Sequence, residues 1–324
     1  EAGHKEETMS YIQVEGLTKK YTTISKKTKK ELYALDNLSL QVKKGEFMGY
    51  IGPNGAGKST TIKVLTGIMV PSSGMVNVDG LCPWINRKEH VKKIGAVFGQ
   101  KTQMWWDLPV IDTYNLLRDI FRISKTKYAQ QLSYILENLD LQELLEKPVR
   151  FLSLGQRMRA EIGACLIHDP DILFLDEPTI GLDIFSKEKV NNFLKELNKL
   201  GKTIFLTTHD LEDIQNLCSQ IMILNNGQII FKGSKNELKA EAGLPLQVKV
   251  KIRKESISQD NRNFLYLDNR SFNQEKSELT VLLHGKEKPG DIAGALFKLF
   301  EIEDIIIKEP DIEDVVKYFY KQDA

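Results

Sequence analysis

The run Phe47-Met48-Gly49-Tyr50-Ile51-Gly52-Pro53-Asn54-Gly55-Ala56-Gly57-Lys58-Ser59-Thr60-Thr61 passes from a short apolar segment through a glycine-rich turn into a helix-forming segment. Its middle satisfies G-x-x-x-x-G-K-[ST], between an expected strand, Phe47–Ile51, and an expected helix from Lys58 to about Met69. Gly52, Gly55 and Gly57 let the backbone turn sharply and approach phosphate oxygens with no Cβ in the way. Successive N–H groups across Gly52, Pro53, Asn54, Gly55, Ala56 and Gly57 and into Lys58, Ser59 and Thr60 then form an anion nest; only Pro53 has no proton to give. The positive end of the following helix strengthens that nest. Lys58 supplies a point charge for the β and γ phosphates, and the Ser59 hydroxyl is a ligand for Mg²⁺. The loop is therefore expected to bind a nucleoside triphosphate, ATP in the first instance.

Outward from the loop, short apolar runs at Ile94–Phe98, Ile172–Leu175, Thr203–Leu206 and Ile221–Leu224 read as strands buried on both faces. Such strands belong in a sheet covered by helices on both sides, so the expected class is α/β. Tyr11–Val14 and Leu38–Val42 read as further strands. From about Asp112 to His168 the apolar residues recur at helical spacing, which marks a helical insert, about 105–168, within the α/β domain. Past Glu237–Pro245 the composition shifts. Strands at Leu246–Ile252, Leu279–Leu283 and Ile302–Ile307 and helices at Asp291–Leu299 and Ile312–Tyr320 suggest a small α+β domain, 237–324, after a main domain, 9–236.

Ile172-Leu173-Phe174-Leu175-Asp176-Glu177 is a buried strand ending in two acids, where ligands bind in open α/β sheets. Asp176 is placed to hold Mg²⁺, through water, and Glu177 to polarise an attacking water as general base.

The 324 residues carry 45 Lys+Arg against 44 Asp+Glu, with 41% hydrophobic and 27% charged residues. Large-scale disorder is excluded by that balance. No apolar run reaches the roughly 18–20 residues of a membrane span. Cys82, Cys165 and Cys218 show neither disulfide-framework nor zinc spacing, and the five histidines are scattered, so a reducing cytosol is the expected setting. Glu1 to Thr8 precede Met9, form no secretory signal and read as a cloning remnant. Lys19, Lys20, Lys26, Lys27, Lys29 and Lys30 lie within twelve residues without an acid. The run reads as a solvated, mobile loop, with a nucleic-acid or anionic-lipid contact as the alternative.

Leu152-Ser153-Leu154-Gly155-Gln156, 20 residues before Asp176, resembles the signature of ATP-binding cassette (ABC) ATPases. Gln100 resembles that family's Q-loop glutamine, Gly181-Leu182-Asp183 its D-loop, and His209 in Thr207-Thr208-His209-Asp210 its H-loop histidine. The resemblance covers about Tyr11 to Lys235. It implies a P-loop NTPase core with a helical subdomain. It also implies a head-to-tail dimer of two copies, each ATP lying between one copy's phosphate loop and the other's signature. Ser153, Gly155 and Gln156, with Asp183, would meet the nucleotide across that dimer. Glu177, His209, Lys58 and Gln100 would be catalytic, and Ser59, Gln100 and Asp176 would serve the metal. Tyr21 would stack on adenine if Thr22 to about Lys29 are an insertion, with Tyr33 as competitor. Leu154 departs from the family's usual Gly.

One cassette without a membrane span resembles the motor of a transporter, peripheral at the cytoplasmic face through a multi-span permease. Gln103-Met104-Trp105-Trp106-Asp107-Leu108-Pro109 lies where the family docks that permease, so Trp105 and Trp106 are either dock or core. Lys308-Glu309-Pro310-Asp311-Ile312-Glu313-Asp314-Val315 and the signature variant resemble ABC-2 and viologen-type exporters. A nucleic-acid-linked ABC ATPase and an ATP-switched regulatory module are the alternatives; no nucleic-acid partner is expected.

Overall fold

The structure, a computed structural model, describes residues 10–25, 28–99, 102–257, 263–266, 269–283 and 288–322. The chain divides into two compact units, Glu1–Lys235 and Asn236–Ala324.

The first unit runs β1 (Ile12–Ser25), β2 (Thr28–Val42), β3 (Phe47–Ile51), α1 (Lys58–Leu65), β4 (Ser73–Val78), α2 (Arg87–Lys93), β5 (Ile94–Phe98), α3 (Val110–Ile120), α4 (Lys125–Leu139), α5 (Leu154–Leu166), β6 (Ile172–Asp176), α6 (Ile184–Lys199), β7 (Thr203–Thr208), α7 (Leu211–Leu217), β8 (Gln220–Asn225) and β9 (Gln228–Gly233). Its main sheet has the order β5-β6-β7-β3-β8-β9, parallel except for the edge strand β9. All five residues of β3 and all six of β7 are buried, as their near-continuous apolar character requires. Tyr50, Phe174 and Phe205 fill the space beside the sheet, with Tyr50 and Phe205 ring centroids 5.1 Å apart. Tyr50 keeps its hydroxyl paired with Thr61 Oγ1 at 3.2 Å, which ties β3 to α1 on either side of the glycine turn.

The first strands sit elsewhere than in this sheet. β1 and β2 form a long antiparallel hairpin that joins β4 in a separate sheet of order β2-β1-β4. The lysine-rich segment read as a mobile loop is part of that hairpin, whose ladder continues to the Ser25–Thr28 pair. Thr22, Thr23 and Ile24 are β-branched and favour extended backbone, a preference that the charge of the run conceals. Lys26 and Lys27 lie outside the described residues.

The helix after the glycine turn ends at Leu65, short of Met69. Gly67 adopts φ +72 and its N–H bonds Val64 O at 3.0 Å, the left-handed stop that only glycine takes without strain. β9 was absent from the sequence reading although Asn226-Gly227, with φ of +45 and +79, is the two-residue turn that closes a tight hairpin.

The second unit contains α8 (Lys235–Ala242), which opens it, then β10 (Leu246–Ile252), β11 (Arg270–Asn273), β12 (Glu278–Leu283), α9 (Pro289–Leu299), β13 (Ile302–Lys308) and α10 (Ile312–Gln322). Its sheet is antiparallel with order β11-β12-β10-β13. Val248, Val250, Ile252, Leu279, Val281, Leu296 and Phe300 form its own core.

Candidate functional site

The glycine turn joins β3 to α1. Gly57 is the N-cap of α1 at φ +111, and no side chain caps that helix end. The N–H groups of Lys58, Ser59 and Thr60 in the first turn have no carbonyl ahead of them in the helix. They are donors available to an anion at the positive end of the helix dipole. A Cβ at Gly57 would collide with the Ala34 carbonyl and one at Gly52 with the Leu224 carbonyl. These two glycines therefore let the turn settle against the neighbouring strands.

A cavity of 480 Å³ lies beside the turn, lined among others by Gly55, Lys58, Ser59, Thr60, Asp176 and Glu177. Lys58 is buried, and its Nζ donates to Gly52 O at 2.7 Å and stands 3.8 Å from Glu177 Oε1. Burial pulls its pKa below the ordinary lysine value, while Glu177 and Asp176 work in the opposite direction. A second cavity, lined by Gly52, Pro53, Asn54, Glu177, Ile180 and His209, opens on the other side of Glu177. His209 Nδ1 is 3.4 Å from Glu177 Oε1. Glu177 thus stands between the lysine and the histidine, and it holds φ +53, a backbone state that non-glycine residues seldom adopt.

Two features of this arrangement were absent from the sequence reading. Thr207 donates its hydroxyl proton to Asp176 Oδ1 at 2.6 Å and accepts the Glu177 N–H at 3.2 Å. Behind the histidine, fully buried Asp213 accepts from Thr179 Oγ1 at 2.6 Å and Asn191 Nδ2 at 2.8 Å. Thr207 entered the sequence reading only as a neighbour of His209, and Asp213 not at all; the paired strands and packed helices bring these contacts about. Gly99 allows β5 to approach the two acids closely, because a Cβ there would meet the carbonyls of Asp176 and Glu177.

Ser153 is the N-cap of α5, which starts at Leu154. Ser153 Oγ accepts the Gln156 N–H at 3.2 Å and Gln156 Oε1 accepts the Ser153 N–H at 3.0 Å, a closed capping box. Asp183 caps α6 by accepting the Ser186 N–H at 2.9 Å, and the N–H and hydroxyl of Ser186 hold its carboxyl below the ordinary range. A side chain at Gly155 would collide with Ser186, so this glycine lets the ends of α5 and α6 meet. Leu154, half exposed, lies against the Gly181 backbone.

Tyr21 lies on β1 at 41% exposure, with its hydroxyl 3.4 Å from Met69 Sδ and Lys19 Nζ 5.5 Å from its ring centroid. Tyr33 is on the partner strand at 47% exposure, opposite Lys20. Trp105 and Trp106 are half exposed rather than core residues, and the Arg157 guanidinium lies 5.4 Å from the Trp106 ring. Gln100 lies outside the described residues.

The donors fit the implied ligands. Ser59 and Asp176 offer a hydroxyl and a carboxylate to one cavity, the few hard oxygen ligands with which Mg²⁺ bridges to phosphates and water. The nest of N–H donors and Lys58 fit a polyphosphate.

The sequence pattern described as ABC transporter matches residues 35–180, from the first hairpin through the phosphate loop to the segment after Glu177. The "ABC transporter ATP-binding protein NatA" of Bacillus subtilis (strain 168) is 30% identical over 210 residues, 65% of this chain and 85% of that protein. The "Nod factor export ATP-binding protein I" of Cupriavidus metallidurans is 36% identical over 204 residues, 63% of this chain and 67% of that one. Among solved structures, the dimeric post-hydrolysis state of the ATP-binding cassette MJ0796 bound to ADP and Pi covers 69% of this chain and 98% of its own. It matches with a TM-score of 0.62 at 28% identity. With the phosphate loop and the Asp176–Glu177 pair lining one cavity and a 30%-identical relative covered over most of its length, the chain belongs to the ABC transporter family, and the cassette it carries is an ATPase.

Proposed function

We propose that the chain is the ATP-hydrolysing motor of an ABC-type exporter, working as a head-to-tail dimer on a separate multi-span permease at the cytoplasmic face of the membrane. The observation that carries this reading is Glu177 held between Lys58 and His209 at the wall of two cavities. The nest and Lys58 bind the phosphates, and Lys58 stabilises charge that grows on the γ group. Glu177 takes the proton from the attacking water as general base, and His209 holds that water and the γ-phosphate in line. Tyr21 stacks on the adenine. Mg²⁺, when bound through Ser59 and Asp176, supplies Lewis-acid neutralisation of the phosphate oxygens. Gln100 senses the metal. Ser153, Gly155, Gln156 and Asp183 of one copy close the site of the other, so ATP joins the dimer and hydrolysis releases it.

Export is supported by the printed function of the Nod factor relative, and the half-exposed Trp105 and Trp106 suit a docking surface for the permease. The substrate is selected by that permease. The test compares wild type with Glu177→Gln. Loss of the general base lowers turnover by about 10²–10⁴-fold. ATP binding persists, so the variant accumulates as an ATP-dependent dimer by size-exclusion chromatography, and affinity capture from detergent-solubilised membranes recovers a multi-span protein. A Glu177→Gln variant with wild-type turnover, or a capture without such a protein, rejects the reading.

A further inference from the structure

Thr207 is the next-to-last residue of β7, two positions before His209, and its hydroxyl touches both acids of the site. It is fully buried and stands in register opposite Asp176 between β6 and β7, and opposite Tyr50 between β7 and β3. The direction of its hydrogen bonds follows from proton counting. The Glu177 N–H can only donate, and it does so to Thr207 Oγ1 at 3.2 Å and to the Thr207 carbonyl at 3.0 Å. The single hydroxyl proton is then left for Asp176 Oδ1 at 2.6 Å.

We propose that Thr207 is a positioning residue that aims the Asp176 carboxylate at the metal and fixes Glu177 as general base. The inference rests on the metal-dependent ATPase reading above. With Oδ1 engaged by the hydroxyl, Oδ2 is the oxygen left to serve Mg²⁺ or its water, and the carboxylate cannot rotate freely about its last bond. The paired bonds to the Glu177 N–H also hold the unusual φ of +53 that carries its side chain from the strand end to a position between Lys58 and His209. Outer-shell partners of this kind orient first-shell ligands, and their loss lowers metal affinity or activity by about 10–100-fold.

The test uses the full chain and two substitutions. Thr207→Val keeps the shape and removes the hydroxyl, whereas Thr207→Ser keeps the hydroxyl and removes the methyl group. Thermal melting reports whether each folds. ADP binding in EDTA reports the phosphate nest, and Mn²⁺ titration of the ADP complex by electron paramagnetic resonance reports the metal site. The expected result is unchanged ADP binding in EDTA for both variants. Mn²⁺ affinity falls by about 10–100-fold in Thr207→Val, with a matching fall in kcat, and returns towards wild type in Thr207→Ser. Should Thr207→Val fail to fold, Thr207→Ala is read in the same way. Wild-type Mn²⁺ affinity in the variant lacking the hydroxyl, or equal loss in Thr207→Ser, overturns the inference. A wild-type protein whose turnover needs no divalent metal overturns the reading beneath it, so the two failures are distinguishable.

Discussion

His90, within α2, is fully buried and His168, just after α5, is partly buried, and each has Nε2 2.9 Å from a backbone carbonyl, of Leu65 and Ile94 respectively. A carbonyl only accepts, so Nε2 carries the proton and Nδ1 is bare, and Nδ1 of each is buried without a hydrogen-bond partner. Protonation would place a charge there in a dry site; burial accordingly lowers both pKa values from the ordinary 6.5. His168 is further enclosed by Phe121, stacked at 4.0 Å. The unfolded chain binds these protons near pH 6.5 and the folded chain does so only at lower pH. Their contribution is therefore complete above that value and is lost as pH falls through the folded pKa values. Each unit of depression is worth about 1.4 kcal/mol. The melting temperature is predicted to drop between pH 7 and about pH 5, and to drop less in a His90→Gln/His168→Gln double variant; equal slopes would refute this. Their surroundings were invisible in the sequence because they depend on carbonyls far along the chain.

At the scale of elements, α5 does more than carry the signature. Glu161, buried on this helix, accepts the Thr102 hydroxyl and the Gln103 N–H at 3.0 Å. Burial raises its pKa and these donors oppose the rise. Thr102 and Gln103 line the nucleotide cavity, so the helix that begins at Ser153 is tied to the wall of that cavity through one carboxylate. Hydrogen bonds to a charged group contribute about 1.5–3 kcal/mol each, so Glu161→Ala is predicted to lower unfolding stability by about 3 kcal/mol. The expected readouts are a lower urea midpoint and faster amide exchange at Gln103 than in β3; unchanged exchange would show that the tie is not a stability element. Strongly periodic helices and continuous apolar strands of this region were legible from the sequence to within a few residues. The β1–β2 hairpin was not, because charge density and strand propensity conflict there and the pairing across Ser25 and Thr28 resolved the conflict.

At the scale of the molecule, each unit has its own core, and the second gathers Val248, Val250, Leu279, Val281 and Leu296 from elements of its own sheet and helix. Roughly ninety residues with such a core are enough to fold alone. A fragment of residues 235–324 is predicted to melt cooperatively in circular dichroism, and a gradual loss of signal without a transition would contradict this. No helix among the described residues is long and apolar enough to cross a membrane. The sequence by itself determined the phosphate loop, the two acids and the order of the family's motifs, because each depends on residues adjacent in the chain. The strand order was decided only in three dimensions. β7 inserts between β3 and β6, so its end carries Thr207 and His209 into the gap between the phosphate loop and Asp176–Glu177. Which hydroxyl holds Asp176 follows from that insertion, and which carbonyls seal the histidines follows from packing elsewhere in the same unit. They are contacts between residues 25 to 74 positions apart, for which local spacing has no signal.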